Sequence, residues 1–114
     1  DVFYTPILIE TLALTVCELI NFKATGIFNV VGDERISKCD FGLKLAEEFG
    51  LELGLVKSGL FTDKRTLVHR PLDMSLSNQK ICNLLGRRIG DIKEHLARLQ
   101  QQERNGFAQK MRAL

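Results

Sequence analysis

Residues 7–22, ILIETLALTVCELINF, restrict the possible folds more than any other stretch. Apolar side chains recur there at helical spacing, and the only interruptions are Glu10, Thr11, Thr15, Glu18 and Asn21. The spacing predicts a helix in which Thr11, Thr15 and Glu18 make a narrow polar stripe. Leu8, Leu12, Val16 and Leu19 then line the opposite side. A helix with so little polar surface needs cover on most sides. A chain of 114 residues supplies one core. The helix is therefore expected to be wedged between this lobe and something else, or to drive homo-dimer formation through exposed apolar surface. The run is too short to cross a bilayer and carries two carboxylates, so no membrane partner is expected.

Around that helix the chain alternates. Residues 1–6, DVFYTP, favour a short strand that Pro6 ends. Residues 26–32, GIFNVVG, predict a central strand bracketed by glycines, with Asn29 in need of a partner. Ser37 and Asp40 resemble a capping box for a helix over 38–49, with Phe41, Leu45 and Phe49 as its buried stripe and Gly50 as its stop. Residues 51–56 alternate in the manner of a short strand, and 57–69 form a basic connection containing Lys57, Lys64 and Arg65. Ser77 is the predicted cap of a small helix over 78–85 that Gly86 ends, with Ile81, Leu84 and Leu85 as its buried face. A last helix starts near Ile89 or Gly90. Its face is Ile89, Ile92, Leu96 and Leu99, and Glu94 is placed to pair with Arg98. Asn105-Gly106 interrupts it, and 107–114 read as a short extra helix or a frayed tail. The fold class is a small mixed α/β lobe with two or three short strands and about four helices. Residues 1–100 form the domain and 101–114 its tail.

Sixteen basic and fourteen acidic residues give a net charge of +2. That balance argues against a nucleic-acid surface, although Lys57, Lys64, Arg65 and Arg70 keep a weak nucleic-acid binder as a third reading. Cys17, Cys39 and Cys82 lie in apolar helical patterns with no close pair. They are expected to be buried thiols in a reducing, cytoplasmic setting. His69 and His95 stand alone, so no metal site is expected. The first residue is Asp1, and the expectation is that a longer polypeptide precedes it.

The chemistry concentrates in residues 69–86, HRPLDMSLSNQKICNLLG. Arg70 is a planar donor fork suited to phosphate or carboxylate, and Asp73 can accept from hydroxyls. Together they suit a ligand bearing both phosphate and sugar. The plainer alternative is an Arg70–Asp73 pair pinning the helix entry. No glycine-rich phosphate loop, nucleophile elbow or triad occurs. The single tyrosine, Tyr4, has no lysine four residues on. No catalytic residue is assigned.

Four pieces, in order, resemble the C-terminal substrate domain of extended short-chain dehydrogenases/reductases acting on nucleotide sugars, most nearly the dTDP-4-dehydrorhamnose reductase-like group. FYTPILIETLALTVCELI resembles that family's turn into a "DLA" helix. GIFNVVGDERISKCDFGLKLAEEFG resembles its G-x-[FY]-[NH]-[LV]-x-G strand and following helix. HRPLDMSLSNQKICNLLG resembles RP-x-[DN]-x-x-L-[DS]-x-x-K-x-x-x-LLG, and IGDIKEHLARL its closing helix. The likeness spans about residues 1–100.

The resemblance implies the C-terminal part of an extended Rossmann-type reductase, itself without catalytic groups. Arg70 would contact the pyrophosphate of a nucleotide-sugar, Asp73 the ribose, and Thr5 and Pro6 the sugar pocket. The parent would hold NAD(P), and the catalytic Tyr and Lys, in an N-terminal Rossmann domain. Thr5-Pro6 reverses the family's commoner order, and Glu10-Thr11 replaces its acidic pair. Reductase, epimerase and dehydratase parents therefore stay open, as does a regulatory or scaffold subunit that kept only the lobe.

Overall fold

A computed structural model describes residues 1–63, 68 and 70–114. Lys64, Arg65 and His69, named above, lie outside the described residues. In chain order the elements are β1 (Phe3–Tyr4), α1 (Ile9–Asn21), β2 (Ile36–Ser37), α2 (Lys38–Glu48), two 3-10 turns (Leu53–Leu55 and Phe61–Asp63), α3 (Gln79–Leu85), α4 (Ile92–Arg104) and α5 (Phe107–Arg112). The protein is a small mixed α/β lobe with five helices and one two-stranded antiparallel sheet among the described residues.

Phe3 pairs with Ser37 and Tyr4 with Ile36. Ser37 at once becomes the cap of α2: its Oγ accepts from the Asp40 N–H at 3.0 Å and donates to the Asp40 carboxylate at 2.7 Å. Gly50 ends α2 in the left-handed region, as the sequence predicts. Ile36, Ile92 and Leu96 form the core, with Tyr4, Phe41, Leu45 and Leu99 packed on it. The face predicted for α4 therefore does point inward. The helix begins at Ile92, just past Ile89 and Gly90, because Asp91 and Glu94 form a complete capping box ahead of it.

Several expectations fail. Residues 26–32 form no strand, because their polar groups are met from α3 and its cap. Lys80 Nζ donates to the Ile27 carbonyl (2.7 Å) and Asn78 Nδ2 to that of Val31 (3.1 Å), while Asn29 donates to that of Ser77 (3.1 Å). Residues 51–56 close a 3-10 turn instead of a strand. Asn78 takes the N-cap position of α3 without a side-chain cap bond, while Ser77 Oγ accepts from the Gln79 N–H at 3.3 Å, and Leu84 is 38% exposed. Cys17 is exposed and Cys39 and Cys82 are half-buried, all three as free thiols.

The exposed apolar surface expected of α1 is present, and its polar stripe is the side turned inward. Thr15 is fully buried, whereas Ile9, Val16 and Ile20 are 66%, 41% and 68% exposed. The polar side is held inward by ion pairs. Arg98 Nε bonds Glu10 at 2.9 Å, and Arg87 bonds Glu18. Arg98 is consequently taken by Glu10 and not by Glu94. Ile9, Ala13, Val16 and Ile20 then follow one another at four-three-four spacing on an uncovered face. The radius of gyration, 16.4 Å against about 13–14 Å for a compact chain this long, reflects the same openness. No helix among the described residues is long and apolar enough to cross a membrane.

Candidate functional site

The middle of the site is Phe3. Its backbone pairs on one edge with β2 and on the other, in parallel, with Asp73. The Phe3 N–H donates to the Leu72 carbonyl at 2.7 Å, and the Met74 N–H donates to the Phe3 carbonyl at 2.9 Å. One step on, the Leu76 N–H donates to Thr5 Oγ1 at 3.2 Å across a separation of 71 residues. Residues 3–5 and 72–76, which flank or contain the site residues named through the family resemblance, thus run side by side. Proline ends the first, since it has no N–H to continue the pairing.

The side chains are arranged differently from the simplest expectation. Asp73 does not pair with Arg70 but with Arg35, whose Nε and Nη2 donate to Asp73 Oδ2 at 3.1 and 2.9 Å. Ser75 supplies its backbone N–H (3.0 Å) and its hydroxyl (2.6 Å) to Oδ1. Arg35, then the Ser75 hydroxyl and amide, hold the Asp73 carboxyl far below the usual carboxylate range. Four donors fill the acceptor sites of one carboxylate. A ribose hydroxyl would reach Asp73 by displacing Ser75. Arg70 is exposed and pairs with no carboxylate among the described residues.

Arg35 is the residue that sequence reasoning missed. Its guanidinium lies over the Phe3 ring with Cζ 3.7 Å from the centroid. Thirty-eight positions separate it from Asp73, and no spacing rule links them. Beside it, between β1 and α2, is an open cleft of about 470 Å3 lined by Phe3, Glu34, Arg35, Ser37, Asp40 and Lys44, among others. Lys44 Nζ meets Glu34 at 2.7 Å in this cleft.

Behind the site, Asp33 ties the 26–33 stretch to the junction of α3 and α4. Its carboxylate accepts from Asn78 Nδ2 (2.7 Å), the Gly90 N–H (2.9 Å), Arg88 Nε (3.1 Å) and the Ile89 N–H (3.2 Å). Burial pushes its pKa upward. The bonds from Asn78, Gly90, Ile89 and Arg88 outweigh that and leave it lowered. Tyr4 packs edge-on against Phe41, its pKa raised by burial, and belongs to the core.

Among the described residues no three or more His, Cys, Asp or Glu stand together as a metal would require. The arrangement offers hydrogen-bond donors, an acidic anchor and a flat cationic surface. Groups of these kinds are able to bind and orient a ligand. Compared with protein-family models, with curated proteins and with solved structures, the chain matches none of them significantly.

Proposed function

We propose that the chain is the nucleotide-sugar-binding lobe of an NAD(P)-dependent oxidoreductase of the dTDP-4-dehydrorhamnose reductase-like kind. The observation that carries this reading is the bridge between Phe3 and Asp73. It sets Thr5 and Pro6 beside the stretch bearing Arg70, so that sugar and phosphate groups can be met from one edge of the lobe. Arg70 offsets phosphate charge, and closure of the lobe holds the sugar against the reacting half. The sequence carries no GxGxxG or GxxxxGK[ST] phosphate loop. In this reading NAD(P) and the proton-transfer residues belong to a Rossmann half preceding Asp1, and the uncovered face of α1 packs against it. An epimerase or dehydratase parent would use the same lobe.

Calorimetric titration of dTDP and UDP into the intact protein and into residues 1–114 tests the reading. Arg70→Ala should weaken binding by about 1.5–3 kcal/mol for each charged hydrogen bond lost. Unchanged affinity would make Arg70 a surface residue.

The outward apolar face of α1 also favours a second reading, a scaffold subunit that binds a protein partner. Absence of nucleotide binding in the intact protein would select it.

A further inference from the structure

We propose that Arg35 is the platform on which the base of a nucleoside diphosphate stacks, in the cleft between β1 and α2. The inference rests on the nucleotide-sugar reading above and assigns the two ends of that ligand to different places.

A guanidinium is planar and weakly hydrated, so both of its faces accept flat rings. Phe3 occupies one face of Arg35, and the side chain is still 47% exposed. Asp73 binds both Nε and Nη2 through a single oxygen, which fixes the plane. The rotamer freedom a ligand would otherwise have to freeze is already lost, and a preorganised surface binds at lower entropic cost. The volume of about 470 Å3 lies within the range of small-molecule sites.

Charge decides which end of the ligand fits. Glu34, Asp40 and Glu47 face the cleft against Arg35 and Lys44, and Lys44 is committed to Glu34. Three carboxylates against two cations disfavour a diphosphate. They suit an uncharged heterocycle that presents N–H groups to carboxylate acceptors. The diphosphate is left to Arg70, which has no carboxylate partner among the described residues.

The test titrates dTDP and, separately, inorganic pyrophosphate into the intact wild-type protein and its Arg35→Lys and Arg70→Ala variants. Lysine keeps the charge and can still reach Asp73, but it has no plane. Arg35→Lys should weaken dTDP binding about tenfold or more and leave pyrophosphate affinity unchanged. Wild-type dTDP affinity in Arg35→Lys overturns the platform. If Arg70→Ala still weakens binding in that case, the phosphate clamp stands without it. An equal loss for pyrophosphate in Arg35→Lys also overturns the platform, since Arg35 would then be a phosphate ligand. No dTDP binding by the wild type overturns both readings. One further measurement does not depend on how the variant folds. In wild-type protein saturated with dTDP, nuclear Overhauser contacts should join the base protons to the Arg35 side chain, and their absence overturns the proposal.

Discussion

The α-carbon of Gly32 faces the carbonyl of Pro6 so closely that a β-carbon would sit 2.2 Å from the oxygen. Both atoms belong to backbone, so neither can swing aside. Gly32→Ala should therefore force the 31–33 stretch away from the start of α1, at a cost of about 1–3 kcal/mol or more. Thermal melts of the two proteins check this. An unchanged melting temperature would mean that the two segments do not meet.

Asp33 joins the same stretch to Gly90, and its contribution should depend on pH with a definite sign. Its folded pKa is lowered, so its stabilisation is present above the unfolded value of about 3.9. That stabilisation drains away as the pH falls through the lower folded value. Asp33→Asn keeps most of the shape and loses the charge. The stability gap between wild type and Asp33→Asn should be widest near neutrality and narrow below about pH 4. Urea unfolding at pH 7, 4 and 3 measures it. A gap that does not change with pH would show that the charge on Asp33 is not what holds the junction.

How legible the fold was depends on how far apart the interacting groups are in sequence. Ser37 with Asp40, Gly50, Gly86 and the break at Asn105-Gly106 act within a few residues, and each stands where its spacing put it. The face of α4 was legible for the same reason. Residues 26–32 misled because a strand needs an unspent backbone. Lys80 and Asn78, roughly fifty residues further on, take two of its carbonyls. In residues 7–22 the excess of apolar surface was legible, but which side of the helix faces inward was not. Glu10 and Glu18 are turned inward by arginines 88 and 69 residues away. In the site, the proximity of Thr5 to the 70–76 stretch was legible only through the family resemblance. Arg35 was not legible at all, since its partners Phe3 and Asp73 lie on opposite sides of it in sequence.

Ile92 is 1% exposed at the centre of the core, between Ile36 and Leu96. Ile92→Ala should cost about 2–5 kcal/mol, the lost transfer of its methyl groups plus a residual cavity. Phe41, packed on the cluster only in part, should cost less on truncation than a fully buried phenylalanine. Chemical denaturation of both variants gives the order. A Phe41→Ala loss larger than that of Ile92→Ala would move the centre of the core towards α2.

The outward face of α1 separates stability from association. Val16 and Ile20 are exposed, while the ion pairs of Glu10 and Glu18 hold the helix from its other side. Charges placed on the outer face leave those bonds alone. Val16→Lys and Ile20→Lys should each change the stability of residues 1–114 by no more than about 0.5 kcal/mol. Residues 1–114 should associate in a concentration-dependent way through this face, and the same changes should abolish that association, because lysines on facing copies repel where apolar side chains attract. Sedimentation velocity across a range of concentrations reads the association, and a melt reads the stability. Loss of stability in step with loss of association would mean that the helix is held in place by what covers it. The inward bonds from Arg87 and Arg98 would then be too weak to orient α1 alone. Stability retained while association disappears would leave those two arginines as the cause of its orientation.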